Sequence, residues 1–253
     1  TNYSIYRPRP FKKDYTVSIV IPARNEAGNM KGVLGKIPKF SDNIEVVFVE
    51  GNSVDDTYEV IQDEIKKYKG PFKLQLLKQV GKGKGDAVRL GFSKAKNDLY
   101  IILDADLTVK PSELIKFYEA AASGKGDLII GSRLVYPMEK QAMRALNYLG
   151  NKLFSIAFTY LLDQKIKDTL CGTKALTREN YKKLEKNRHI FGDFDPFGDY
   201  DLIFGASKLN LKIVEIPIRY KERTYGKTNI SRFSHGWLLL KMVYFAAKNL
   251  KFI

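Results

Sequence analysis

The stretch DLYIILDADLTVKPSEL, Asp98 to Leu114, decides how the chain is read. Its five consecutive apolar residues, Leu99 to Leu103, have the pattern of a strand buried on both faces, as in a parallel sheet covered by helices. Two carboxylates follow, Asp104 and Asp106, one residue apart. If the strand ends near Asp104, both acids stand at its carboxyl edge, where open α/β sheets bind ligands. Side chains at i and i+2 of an extended segment point the same way, so the pair can face one cation. Hard carboxylate ligands that leave room for water and phosphate oxygens suit Mg²⁺ or Mn²⁺. Taken alone, the pair reads equally as a helix cap and a solvated turn acid, because Pro111 is placed to open a helix over Ser112 to Ala122.

On either side of this stretch the same rhythm recurs. TVSIVIP, NIEVVFVE and FKLQLLK are short β-branched or leucine-rich runs, separated by segments of helical spacing, Asp55 to Lys69 and Asp86 to Ala95. Further on come a strand, DLIIGS, an amphipathic segment, QAMRALNYLGNKLFSIAFTYLLD, a helix after DPFGDYDLIFGASKL, and the strand KIVEIPI. Alternating strand and helix predict an α/β fold, Rossmann-like, with a mainly parallel sheet flanked by helices. The expected organisation is a basic arm at 1–15, one unit over 16–230 and an amphipathic C-terminal helix over 231–253. Within the unit, 16–132 is expected to bind nucleotide and 133–230 the acceptor.

Composition narrows the partners. The 253 residues are 44% hydrophobic, enough for a substantial core, and 43 Lys and Arg against 28 acids give a formal charge of +15. Such a chain favours anionic partners: nucleotide, phospholipid surface or nucleic acid. One cysteine, Cys171, excludes an internal disulfide and fits a reducing compartment, while two histidines, His189 and His235, make poor material for a zinc site. No apolar stretch approaches the roughly 20 residues that cross a bilayer, so a cytoplasmic chain is expected, located at the inner face of the membrane if it docks there. Because it opens on Thr1, the chain is expected to be a processed or excised piece of a longer protein.

The motifs VSIVIPARNE, VFVEGNSVDDT, GKGDAVRLGF, ILDADLT, GSRL, DTLCGTKAL and VEIPIRYKERTYGKT, in this order and spacing, resemble the family 2 glycosyltransferases of GT-A fold. The likeness runs from about Thr16 to Thr228 and is greatest to polyprenyl-phosphate sugar transferases of the dolichol-phosphate mannose synthase type. GSRLVYPMEKQAMRALNYLGN and FGDFDPFGDYDLIFGA also resemble a bacterial subgroup sometimes fused to a methyltransferase domain.

The resemblance implies metal-dependent, inverting transfer from a nucleoside-diphosphate sugar, UDP- or GDP-linked. By matching position, Pro22, Ala23, Arg24 and Glu26 line the nucleoside, and Glu50 stands at the base-reading position. Gly51 replaces a second aspartate often found there, which leaves the base open, while Ser53 and Asp55 complete that loop, Asp55 as a cap of the next helix. Lys84 and Gly85 approach the nucleotide, Asp104 and Asp106 take the metal positions, and Ala105 between them lies on the donor. Gly81, Gly83 and Gly85 alternate and so give neither the dinucleotide fingerprint nor a P-loop.

Departure of a diphosphate requires cations, and a hydroxyl acceptor requires a base. In RYKERTYGKTN, Arg223 and Gly226 match the family's diphosphate clamp; Asn229 holds the usual lysine position, so Lys227 is the expected substitute. In FGDYDL, Asp199 aligns with the base of relatives that use hydroxyl acceptors, and Asp201 with an acidic position of the polyprenyl-phosphate enzymes; both also read as acids at a helix start. Arg133 and Arg144 are the positions that would bind an acceptor phosphate, although Tyr148 stands where a partner serine is expected. The C-terminal segment interleaves Trp237, Leu238, Leu240, Met242, Tyr244 and Phe245 with Arg232, Lys241, Lys248 and Lys251, a pattern of membrane-surface helices and also of core packing.

Two other functions fit parts of the pattern. A non-catalytic basic binder of membrane or nucleic acid has no use for acids at the sheet edge and would need stacking aromatics for RNA. A nucleotidyltransferase shares the metal logic, but PARNE stands where its glycine-rich loop would follow the first strand. The preferred expectation is a glycosyltransferase with no nucleic acid partner.

Overall fold

A computed structural model describes residues 13–133, 145–188, 198, 200–226 and 232–248. Seven strands form one sheet: β1 (Val17–Ala23), β2 (Ile44–Glu50), β3 (Lys73–Lys78), β4 (Leu99–Ile102), β5 (Leu128–Ser132), β6 (Lys174–Thr177) and β7 (Ile213–Pro217). Their spatial order is β3-β2-β1-β4-β6-β5-β7. All run parallel except β6, which pairs antiparallel with both β4 and β5. The carboxyl ends of the other six therefore share one edge, and β6 delivers its beginning to that edge.

Parallel strands joined by helical crossovers are covered on both faces, which is why β1, β2 and β4 are apolar nearly throughout. Ile19, Ile21, Val46, Phe48, Leu99 and Ile101 face a core closed by α5 (Leu114–Ala122), through Phe117 and Tyr118. Val20, Val47, Val49, Tyr100 and Ile102 face the other core, closed by α4 (Lys84–Lys94), α6 (Ala145–Leu162), α7 (Arg178–Lys186), α8 (Tyr200–Lys208) and α9 (Arg232–Ala246). β3 is the half-exposed edge, guarded by Lys73 and Lys78 at its ends.

Short helices α1 (Ala27–Met30) and α2 (Val33–Lys36) follow β1, and α3 (Thr57–Lys67) follows β2. Periodicity overran α3, which spans Thr57–Lys67 and not Asp55 to Lys69, and entered α4 late, since that helix begins at Lys84, two residues before Asp86. Pro111 opens a 3₁₀ turn, Pro111–Glu113, which leads into α5. Pattern reading left out strand β6, whose four residues begin with a lysine and are too few to show a period, and with it the short α1 and α2 and helix α7.

Candidate active site

Three loops meet at the carboxyl edge, after β1, β2 and β4, and each contains a residue in the left-handed region: Asn25 (φ 58°), Asn52 (φ 56°) and Leu107 (φ 53°). Asparagine tolerates this conformation and leucine does not, so the loop after β4 holds strain where it turns back beneath its acids.

The first two loops are stitched together. Asn25 N–H donates to Ser53 Oγ at 3.0 Å, Val54 N–H to Asn25 Oδ1 at 2.9 Å and Glu26 N–H to Thr57 Oγ1 at 2.9 Å. Glu50, buried at the end of β2, accepts from Ser53 N–H through one carboxylate oxygen. Asp55 lies one position before the cap residue Asp56 and accepts from Thr57 N–H at 3.2 Å and Ala27 N–H at 3.3 Å, tying the starts of α1 and α3 together. A Cβ on Gly51 would come within 3.1 Å of Gln79 Oε1 and 3.3 Å of Arg24 Cβ, so no aspartate fits there without displacing them. Arg24, Asn25, Glu26, Val54, Asp55, Arg223, Tyr225 and Gly226 line a cavity of about 420 Å³.

Of the acid pair, Asp106 is oriented by Thr108, whose N–H and hydroxyl donate to Oδ1 at 3.1 and 2.9 Å. Its Oδ2 lies 3.2 Å from Arg223 Nη2, while Nη1 of the same guanidinium lies 2.9 Å from Glu26 Oε1. Asn29 donates to the other oxygen of Glu26 at 2.7 Å. Burial pushes the Glu26 carboxyl above its ordinary value, and Arg223 opposes the shift. Asp104 Oδ1 lies 2.6 Å from Lys84 Nζ at the start of α4. Burial works against its ionisation, but Lys84, with Lys174 and Arg133 behind, outweighs this and holds Asp104 below the usual carboxylate range.

The floor comes from the loop before β6. A Cβ on Gly172 would sit 2.2 Å from Asp104 Oδ2 and 2.3 Å from Lys84 Nζ, so a larger residue here would push the carboxylate and the ammonium out of this arrangement. Lys174 is fully buried and donates to Cys171 C=O at 2.6 Å. The Cys171 thiol is pushed up to about 12 by burial, with Asp168 adding to the shift, which makes it inert. Arg133 gives Nε and Nη2 to buried Asp168 at 2.7 Å each, and its guanidinium lies over the Tyr220 ring. Gly198 abuts the first turn of α4, where its Cβ would meet Gly85 N at 2.3 Å. Asp201 faces Arg188 at 3.2 Å and Arg89 at 3.9 Å.

The structure thus brings Glu26, Lys84, Asp104, Asp106 and Arg223 into one cluster, with Gly85 and Ala105 buried beside it. Pro22 and Ala23 end β1 beneath Arg24, which lines the cavity. Arg133 and Asp201 are each held in an ion pair at the periphery. Asp199, Arg144 and Lys227 lie outside the described residues. Sequence reading missed Lys174 and Asp168 as neighbours of the site; a lysine and an aspartate flanking Cys171-Gly172 were the available signal.

Among the described residues no group of three or more His, Cys, Asp or Glu is placed to hold a metal, so the protein offers at most the pair Asp104 and Asp106. Two hard oxygen donors one residue apart at the sheet edge, Asp106 with one oxygen oriented by Thr108, fit a divalent ion that draws its remaining ligands from water and phosphate.

The family model described as Glycosyl transferase family 2 matches residues 18–185. Glycosyltransferase AglJ of Haloferax volcanii is 28% identical over 92% of this chain and 72% of its own length. Dolichol-phosphate mannosyltransferase of Pyrococcus furiosus is 31% identical over 89% of this chain and 64% of its own. Glucosyl-3-phosphoglycerate synthase of Mycobacterium tuberculosis, solved with Mn²⁺, UDP and glucosyl-3-phosphoglycerate, superposes with a TM-score of 0.66 at 16% identity, over 93% of this chain and 80% of that one. That likeness fixes the α/β fold as the one expected, GT-A. With the model spanning β1 to α7 and these relatives covering nearly the whole chain, the protein belongs to glycosyl transferase family 2 and is a glycosyltransferase.

Proposed function

We propose that the chain is an inverting, divalent-metal-dependent transferase that moves a sugar from a nucleoside-diphosphate sugar to polyprenyl phosphate. The observation that carries this reading is the cluster in which Asp104 and Asp106 face Lys84 and Arg223 at the sheet edge, two anions and two cations gathered where a diphosphate and its metal need both. Asp104 and Asp106 would hold Mg²⁺ or Mn²⁺, which when bound neutralises the leaving diphosphate. Arg24, Glu26, Glu50 and Ser53 form the nucleoside side, with the cavity between the first two loops as its space. Arg223 and Lys227 stabilise the departing diphosphate.

For the acceptor, Asp201 is neutralised by Arg188 and Arg89, and a carboxylate so paired makes a poor general base. A phosphate acceptor is already ionised and needs none, only cations, the role expected of Arg144 and of Arg133, whose charge Asp168 already shares. Asp199 as base is the alternative that a hydroxyl acceptor would require. Relatives named for dolichol phosphate support the first reading.

Two helices support a membrane-bound acceptor. On α6, Leu153, Ile156 and Tyr160 are exposed, and on α9, which packs against it, Trp237, Leu240 and Tyr244; all six are 53–71% exposed at the same i, i+3, i+7 spacing. Met242 on α9 instead turns into the core. Lys152, Lys241 and Lys248 are exposed on these helices or at their ends, which suits an anionic lipid surface. No described helix is long and apolar enough to cross a membrane.

The test is calorimetric titration of UDP and GDP, each with and without Mn²⁺, into the wild type and Asp104→Ala, followed by transfer assays from the matching nucleotide sugar to polyprenyl phosphate. Metal-dependent binding of one nucleotide, lost in the variant, and transfer to the lipid phosphate are expected. Failure of both nucleotides to bind overturns the reading, and transfer only to a hydroxyl acceptor overturns the polyprenyl phosphate.

A further inference from the structure

The two acids best placed to hold a metal are each already engaged by a cation of the chain. Lys84 Nζ sits 2.6 Å from Asp104, and Arg223 bridges Glu26 and Asp106 at 2.9 and 3.2 Å. These cations differ from the two behind them. Lys174 is fully buried with its ammonium on Cys171 C=O, and Arg133 is locked to Asp168, so both are fixed. Lys84 and Arg223 keep 29% and 25% of their side chains exposed and approach from the open side, Lys84 from the first residue of α4 and Arg223 from the segment after β7. Gly172 closes over the Lys84–Asp104 pair so tightly that even a methyl group would touch both partners. A second cation has no place beside the ammonium on that side of Asp104.

Resting on the glycosyltransferase reading, we propose that Lys84 and Arg223 are exchangeable counter-ions, held by Asp104 and Asp106 until a divalent ion takes the carboxylates and passing over to the diphosphate that enters with it. The exchange makes metal and nucleotide binding cooperative. Metal alone must break the Lys84–Asp104 pair and the Arg223–Asp106 contact, leaving Arg223 to Glu26, and nucleotide alone meets cations already engaged by carboxylates. Arriving together, each charge on ligand and protein acquires a partner. The coupling is reciprocal: whatever factor the nucleotide adds to metal affinity, the metal adds to nucleotide affinity.

The experiment follows free Mn²⁺ by its electron paramagnetic resonance signal, titrated without nucleotide and with saturating UDP or GDP, for the wild type, Lys84→Met, Lys84→Gln and Arg223→Met, with folding checked by thermal unfolding. In the wild type, nucleotide should tighten Mn²⁺ binding by about tenfold or more. Lys84→Met and Lys84→Gln should bind Mn²⁺ alone roughly tenfold more tightly than the wild type and lose most of the coupling. Arg223→Met should shift the same way by less, because Asp106 keeps its Thr108 donors. A folded Lys84 variant that binds nucleotide with Mn²⁺ yet binds Mn²⁺ alone no better than the wild type overturns the exchange and leaves the glycosyltransferase reading standing. A wild type that binds neither nucleotide with Mn²⁺ overturns the reading beneath it.

Discussion

Asp168 is 0% exposed and takes both Nε and Nη2 of Arg133, so its removal isolates a buried charge. Asp168→Ala should destabilise the protein by about 3–5 kcal/mol in urea unfolding, the usual result of stranding one member of a buried pair. Replacing both residues by apolar ones, Arg133→Met with Asp168→Leu, should recover much of the loss, since the pair repays little beyond its own desolvation. A single variant as stable as the wild type would mean that the guanidinium has other support. The same pair marks the limit of sequence reading at this scale. Asp104 and Asp106 are legible because two acids end an apolar run, and Lys84 and Arg223 because they sit in motifs. The contacts of Lys84 with Asp104 and of Arg133 with Asp168 join segments far apart in the chain, and no local pattern encodes which charges meet.

Elements obey the same distinction. β1, β2 and β4 announce themselves because burial on both faces demands continuous apolar runs, whereas β6 is short, antiparallel and defined wholly by its neighbours. Helix α4 shows how closely a crossover can approach the sheet: a Cβ on Gly91 would lie 2.3 Å from Val20 Cγ1 and 3.2 Å from Val49 Cγ2. Alanine is better than glycine in a helix interior by about 1 kcal/mol. Overpacking a tight core costs about 1–3 kcal/mol, and at 2.3 Å the contact is with a branched side chain anchored in the central strand. Gly91→Ala should therefore lower stability, read as a reduced midpoint in urea. An unchanged or raised midpoint would show that α4 can lift from the sheet at no cost, which would also loosen Lys84 at its first residue.

At the scale of the molecule, the formal charge of +15 and the apolar stripes on α6 and α9 act on the same surface by different laws. Co-sedimentation with anionic phospholipid vesicles should separate them. Binding should fall in roughly 1 M salt, where screening acts within ~3 Å, and should be lost when Ile156, Tyr160, Trp237 and Leu240 are all replaced by serine. A serine variant that still binds as the wild type does would assign the attraction to charge alone. The overall architecture was readable as far as strand and helix alternate; the sheet order was not, because β6 enters between β4 and β5 from later in the chain.

That late entry also sets an order of events during synthesis. β1 to β4 pair only among themselves until β6 arrives, so half of the sheet, including the loops that carry Glu26, Asp104 and Asp106, can assemble while the rest is still being made. β5 cannot: its partners are β6 and β7, both translated after it. An apolar strand must then wait on a growing chain with its edges bare, the state in which nascent proteins aggregate. For this protein the vulnerable interval on the ribosome lies between the emergence of β5 and that of β6, and a holdase chaperone would have most to do there.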